Sequence, residues 1–166
     1  MLRVRPNALH IKRTIRPLYG STQATPASHF LDPDHDHSNP KWPGFAVVKG
    51  VGSTVHYPEA AEDLPYGLAG HYVGGDGIDE LLEVGINAIA VWKLAADAEF
   101  EILAPAFDHE ETWAENTLVY AATDTANAGR LVPEGYADRT DEPIARVLQV
   151  VSPTKIIVGG LQARSL

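Results

Sequence analysis

The chain has no cysteine, one methionine and no long apolar run among its 166 residues. Without cysteine there can be no disulfide framework, no thiolate metal site and no cysteine nucleophile. No apolar stretch approaches the ~20 residues that a membrane-spanning helix requires. The basic N-terminus is not followed by an apolar h-region, so a signal peptide is not expected. Catalytic motifs are also missing. The chain has no Gly-x-Ser-x-Gly elbow, no His-Glu-x-x-His, no Rossmann glycine pattern and no Gly-Lys-Ser/Thr. What it does have is an ordinary apolar fraction, 45%, enough for one domain with a real core.

The charge is lopsided. The formal net charge is −9, which disfavours nucleic acid as a general partner. Yet Arg3, Arg5, Lys12, Arg13 and Arg16 fall in the first sixteen residues with no acidic residue among them, and every Asp and Glu lies within 32–142. Residues 1–44 lack a sustained apolar period and carry prolines at 6, 17, 26, 33, 40 and 43. Prolines that frequent rule out a long helix and interrupt central strands. The expectation is an extended, basic, proline-rich arm over 1–44 and a β-rich domain over 45–166.

The domain reads as short strands with turn signals between them. Phe45–Tyr57 alternates around Gly50 and Gly52, and implies two strands and a glycine turn. Pro58–Asp63 suits one or two helical turns, and Leu64–Gly70 reads as an irregular Pro/Gly loop. Gly74–Gly77 is a glycine-rich turn in which Asp76 can cap a short helix over Ile78–Val84, ended by Gly85. Asp76, Asp79 and Glu80 would oppose a phosphate there. Ile86–Leu94 and Glu99–Ala104 are strands, the first apolar on both faces and therefore central, with Trp92 assigned to the core. Thr117–Ala122 and Arg130–Pro133 follow. The hairpin over 144–161 closes the domain, with Arg146–Val151 and Lys155–Val158 as its strands. The fold class is mainly β: a small β-barrel or sandwich with one short helix and an extended N-terminal arm. The tail 162–166 is expected to fray.

Candidate chemistry is sparse. Asp32-Pro-Asp-His-Asp-His37 offers carboxylate and imidazole groups, but an extended run places its Asp and His side chains on opposite faces and would have to turn to gather them. Asp108-His-Glu-Glu111 reads as a loop tip or short helical turn. Ser53 and His56 stand three apart in a glycine turn, a common and unspecific pairing. His71 reads as a polar loop residue. No catalytic, cofactor-binding or metal-ligating residue is assigned and no cofactor is expected. The alternative to a structural protein is a ligand- or metal-binding β-barrel module, cupin-like or carbohydrate-binding.

The order Leu118-Val-Tyr120, Ala126-Asn-Ala-Gly129, Arg130-Leu-Val-Pro133, Ile144–Val151 and Lys155-Ile-Ile-Val158 resembles the β-barrel domains of tailed-bacteriophage head decoration (capsid cement or stabilisation) proteins. Ala90-Val-Trp-Lys-Leu94 and Glu99–Ala106 are similar to such virion proteins too, so the resemblance spans about Ile86–Leu161. It implies a non-enzymatic structural protein of the virion's capsid exterior, assembled in the host cytoplasm. Its implied partners are the major capsid protein and itself, as a homotrimer, with neither nucleic acid nor membrane. It would stabilise the shell by bridging capsid subunits, and the basic arm would suit contact through Arg3, Arg5, Lys12, Arg13 and Arg16. Multivalent engagement then turns several weak contacts into firm attachment. Charge reversal at Arg13 and Arg16 is expected to lower capsid occupancy, measured by co-sedimentation; unchanged occupancy would reject a role for those two cations.

Overall fold

The computed structural model describes residues 14–18, 27–32, 34–35, 39–73, 88–94 and 96–161. Within them the chain forms two β layers. Strands Ala27–Leu31 (β2), Ala46–Lys49 (β3), Thr54–His56 (β4), Pro65–Ala69 (β5) and Ala88–Trp92 (β6) close into a five-stranded barrel in the order β2-β4-β3-β5-β6. Strands Ile15–Pro17 (β1), Glu99–Leu103 (β7), Leu118–Ala121 (β8), Leu131–Pro133 (β9), Ala145–Ser152 (β10) and Lys155–Gly159 (β11) form an open sheet in the order β1-β7-β11-β10-β8-β9. The hairpin β10–β11 is therefore the middle of the sheet, where a strand gains most from pairing on both edges.

Alternation fixes which face each strand buries. In β7, Phe100 and Ile102 are inward while Glu99, Glu101 and Leu103 are only partly buried, and in β11 Ile156 and Val158 are buried and Lys155 and Ile157 less so. Register places Phe100 beside Val158 and Ile102 beside Ile156, so one apolar face is continuous across the sheet. That face joins the barrel in a single core that also holds Leu31, Phe45, Val47, Val55, Leu68 and Val91. Full burial of one such side chain stabilises by roughly 1.5–3 kcal/mol. A bulge in β10 between Val147 and Gln149 folds Leu148 over Gly159, where a Cβ would lie 2.8 Å from Leu148 Cδ1.

Four expectations need correction. The segment 1–44, read as an arm, supplies two strands to the body. β1 pairs with β7, and β2 pairs with β4 and β6. Pro17 ends the edge strand β1, where a missing N–H is tolerated. Leu64–Gly70 is not a loop but contains β5. Its Gly67 is required by packing, because a Cβ there would stand 2.7 Å from both Trp92 O and Val91 Cγ1. Composition cannot distinguish such a close-packed strand glycine from a turn glycine. Pro58–Asp63 is a turn rather than a helix, held by the Asp63 carboxylate accepting the Glu59 and Ala60 N–H groups. No helix occurs among the described residues, and the segment expected to be helical, Ile78–Val84, lies outside them. Finally, the barrel is built from 27–92, and the C-terminal half forms the open sheet instead.

Barrel and sheet are stitched through the loops. Ala46 N–H donates to Gly129 O, Asp141 N–H to Ala61 O, and the Thr14 hydroxyl to Pro43 O. Gly129 has φ +93°, and a Cβ on it would meet Ala46 O and the Tyr57 ring, both at 2.8 Å. Gly135 has open space in the same position. Gly129→Ala is expected to lower unfolding stability by more than about 1 kcal/mol, whereas Gly135→Ala should leave the urea midpoint nearly unchanged. Equal midpoints for the two variants would contradict the tight barrel–sheet contact.

Candidate functional site

The Asp32-His37 run does turn. Asp32 accepts the Asp34 N–H on its carboxylate and the His35 N–H on its carbonyl, an Asx-type turn that its sequence favours. This delivers His35 onto His56, with ring centroids 3.9 Å apart and an interplanar angle of 4°. His35 Nδ1 lies 2.5 Å from Glu59 Oε1, and its Nε2 is 3.7 Å from Asp32 Oδ2. The cluster gathers imidazoles and carboxylates, but two stacked rings direct their nitrogens sideways rather than at a common point. No group of three His, Cys, Asp or Glu residues among those described can hold a metal. His56 makes no hydrogen bond with Ser53, and its buried Nδ1 has no partner among the described groups. Asp36 and His37 lie outside the described residues.

The other singled-out groups are structural too. His71 Nδ1 accepts the Ala90 N–H, which fixes the tautomer with the proton on Nε2. In Asp108–Glu111 the Asp108 carboxylate accepts the Glu110 N–H, and its carbonyl accepts Trp113 Nε1–H, so the segment is a capped loop tip with His109 exposed. Trp92 packs edge-on against Phe100 at 5.5 Å, at the core boundary. Tyr136 donates to Asp124, and burial first, then that hydrogen bond, push its hydroxyl up to about 12. It remains a neutral donor that pins the β8–β9 loop.

One cavity, about 280 Å³, lies between barrel and sheet and is lined by Lys41, Tyr57, Glu59, Thr123, Thr125 and Ala128. Lys41 is almost wholly buried and stands 5.2 Å from the Tyr57 ring centroid. Burial holds the Tyr57 hydroxyl well above its ordinary range. Nothing in the sequence marks this lysine, because a single cation between Pro40 and Trp42 carries no pattern.

Of the five basic residues assigned to capsid contact, Arg3, Arg5, Lys12 and Arg13 lie outside the described residues. Arg16 sits on β1, exposed, with its guanidinium 2.9 Å from Glu101, which Lys155 also approaches at 3.9 Å. The outer face of the sheet thus carries Arg16, Glu101, Ile157 and Gln149 in register, with Arg16 and Gln149 exposed and Glu101 and Ile157 half-buried.

Burial, and secondly the facing His35, lower the affinity of His56 for a proton, against the pull of Asp63, Glu59 and Asp32; burial also lowers His71. Both groups therefore bind protons more weakly folded than unfolded. Their contribution is full above about pH 6.5, the unfolded value, and is lost as pH falls below it toward the lowered folded values. The urea midpoint should fall between pH 7.5 and pH 5, and His56→Gln should flatten that fall. An identical pH profile in the variant would exclude His56 as a source of it.

Comparison with curated proteins and with solved structures found no match. A family model described as phage cement protein matches residues 1–164. That span takes in the basic N-terminal segment, the barrel and the sheet together, including the half of the chain that lies before Ile86. Cement proteins are structural rather than catalytic and are associated with the virion capsid, in keeping with two β layers around one rigid core. The chain belongs to the phage cement protein family.

Proposed function

We propose that this protein binds the outer surface of a phage capsid and stabilises the shell by bridging neighbouring subunits of the major capsid protein, as a homotrimer. The observation that supports the reading most directly is the family match over 1–164. A cement must transmit load between subunits without deforming. A close-packed core with low compressibility suits that task, and both layers share one core here. Attachment through several copies at once lets each contact be weak.

Arg3, Arg5, Lys12 and Arg13 are the arm cations proposed to meet the capsid. Arg16 is a different case, since its charge is already compensated by Glu101 within the sheet. Assembly takes place in the host cytoplasm in this reading, and the finished protein resides on the capsid exterior. The barrel strands bury Leu31, Val47, Val55, Leu68, Ile89 and Val91, and this close packing favours a strut over the ligand-holding barrel that was the alternative.

Co-sedimentation with shells that lack the protein tests the proposal. The protein is expected to pellet saturably at a fixed ratio to capsid subunits, and to raise the temperature at which the shells come apart. Deletion of 1–13, which spares β1, should weaken pelleting and steepen its loss with added salt less than the full chain shows. Folded protein that stays in the supernatant at all concentrations would defeat the capsid reading.

A further inference from the structure

The barrel has one end with an unusual surface. β3 and β6 finish there, and β4 and β5 begin there, because β3 is antiparallel to both β4 and β5, and β5 to β6. Lys49 closes β3 and Lys93 follows β6. Their ammonium groups stand 5.7 Å and 4.7 Å from the ring centroid of Tyr66 on β5. The Tyr66 hydroxyl is itself tied to His29 Nε2 at 3.2 Å. Two residues from Lys49, in the β3–β4 turn, Val51 is 90% exposed; two residues from Tyr66, Leu64 is 65% exposed.

Lys41 and Arg130 also lie over rings, those of Tyr57 and Phe45, but Lys41 is buried and Arg130 half-buried, whereas Lys49 and Lys93 are exposed. Arg16 and Lys155 meet Glu101, Arg139 donates to backbone carbonyls and covers Tyr120, and Arg146 donates to Asn116 O. Lys49 and Lys93 meet no carboxylate among the described residues, and both approach the Tyr66 ring. In a chain of net charge −9, two uncompensated ammonium groups beside two large exposed aliphatic side chains form a local exception.

We infer that this barrel end, Lys49, Tyr66 and Lys93 with Val51 and Leu64, is a docking surface for an acidic, partly apolar patch on the capsid shell. The inference rests on the capsid reading proposed above. Charge complementarity selects the partner. Two lysines beside one tyrosine ring suit a few carboxylates, and the ring adds cation–π order to the ammonium groups. An extended polyanion would be repelled by the remaining carboxylates, so nucleic acid and anionic lipid fit poorly. Val51 and Leu64 would supply apolar area that a protein surface can cover, while the lysines set encounter rate and orientation. Tyr66 is held from below by His29, so the platform is preorganised and little ordering is required at binding.

The test is co-sedimentation with shells at low and high salt, using the full chain and two doubly charge-reversed variants of equal net charge. Lys49→Glu/Lys93→Glu alters the barrel end; Arg146→Glu/Lys155→Glu alters the sheet and serves as the control. The barrel-end variant is expected to lose about tenfold or more in apparent affinity at low salt, with the control close to the unmodified protein. Val51→Asp should weaken pelleting at both salt concentrations. Should charge reversal unfold the barrel end, shown by a lowered melting temperature, Lys49→Gln/Lys93→Gln supplies the same comparison. If the unmodified protein pellets and the barrel-end variants pellet equally well, this surface is wrong and the capsid reading stands. Equal losses in both doubly reversed variants would likewise overturn the assignment, by showing an effect of net charge alone. Failure of the unmodified protein to pellet would overturn the capsid reading, and this inference with it.

Discussion

Everything in this protein depends on one shared apolar core between a closed barrel and an open sheet. Phe100 and Ile102 bring the sheet's inner face to it, and Phe45, Val47, Leu68 and Val91 are among the barrel residues that belong to it. The sheet's second apolar cluster is small, Tyr120, Ala122 and Val132 with Leu118 and Tyr136 beside them, at its β8–β9 edge. Across β1, β7 and β11 the sheet's other side carries Arg16, Glu101 and Lys155, charges that burial would penalise. Removing the contact would leave the sheet with an exposed apolar face and the barrel with an uncovered wall, so the two layers stabilise each other as one body.

The close approach this requires explains the glycines that matter. Gly67 allows β5 to lie against β6, Gly129 allows the β8–β9 loop to meet β3, and Gly159 leaves room for Leu148. Each stands where a Cβ would strike backbone or a packed side chain. The rigidity they permit is also what a cement protein needs, since a body that yields under load cannot hold neighbouring subunits in place. The polar groups that looked reactive in isolation are spent on the same end. His71, Asp63 and Asp108 satisfy backbone N–H groups, and Tyr136 anchors a loop.

The histidine pair shows how a local signal can be real and still mislead. The alternation of Asp and His over 32–37 suggested ligands that would need a turn to converge. The turn forms, yet it stacks His35 on His56 instead of pointing both at one ion. A sequence reports which groups are near in the chain, but coordination depends on the direction of lone pairs after the backbone has been placed. Lys41 is the opposite case. It is buried in the junction cavity beside Tyr57 and Glu59, and no spacing in the sequence announces it.

By itself the sequence determined the β class, the hairpin over 144–161 and the strands around Val47, Val55, Ala90, Phe100, Val119 and Val132. Two-residue alternation bounded by glycine, proline and polar turns is a local property and survives without knowledge of partners. It also exposed the lopsided charge and the likeness to phage decoration proteins. Only the tertiary structure decided that the N-terminal half closes the barrel while the C-terminal half stays open. Closure depends on β2 pairing with both β4 and β6, a non-local ladder whose strand of five residues, Ala27–Leu31, has too little periodicity to be recognised alone. The same holds for Pro65–Ala69, where proline and glycine read as a loop until the neighbour that needs the missing Cβ is in place. The barrel-end surface is tertiary for the same reason: Lys49, Tyr66 and Lys93 are far apart in sequence, and strand pairing alone brings them together.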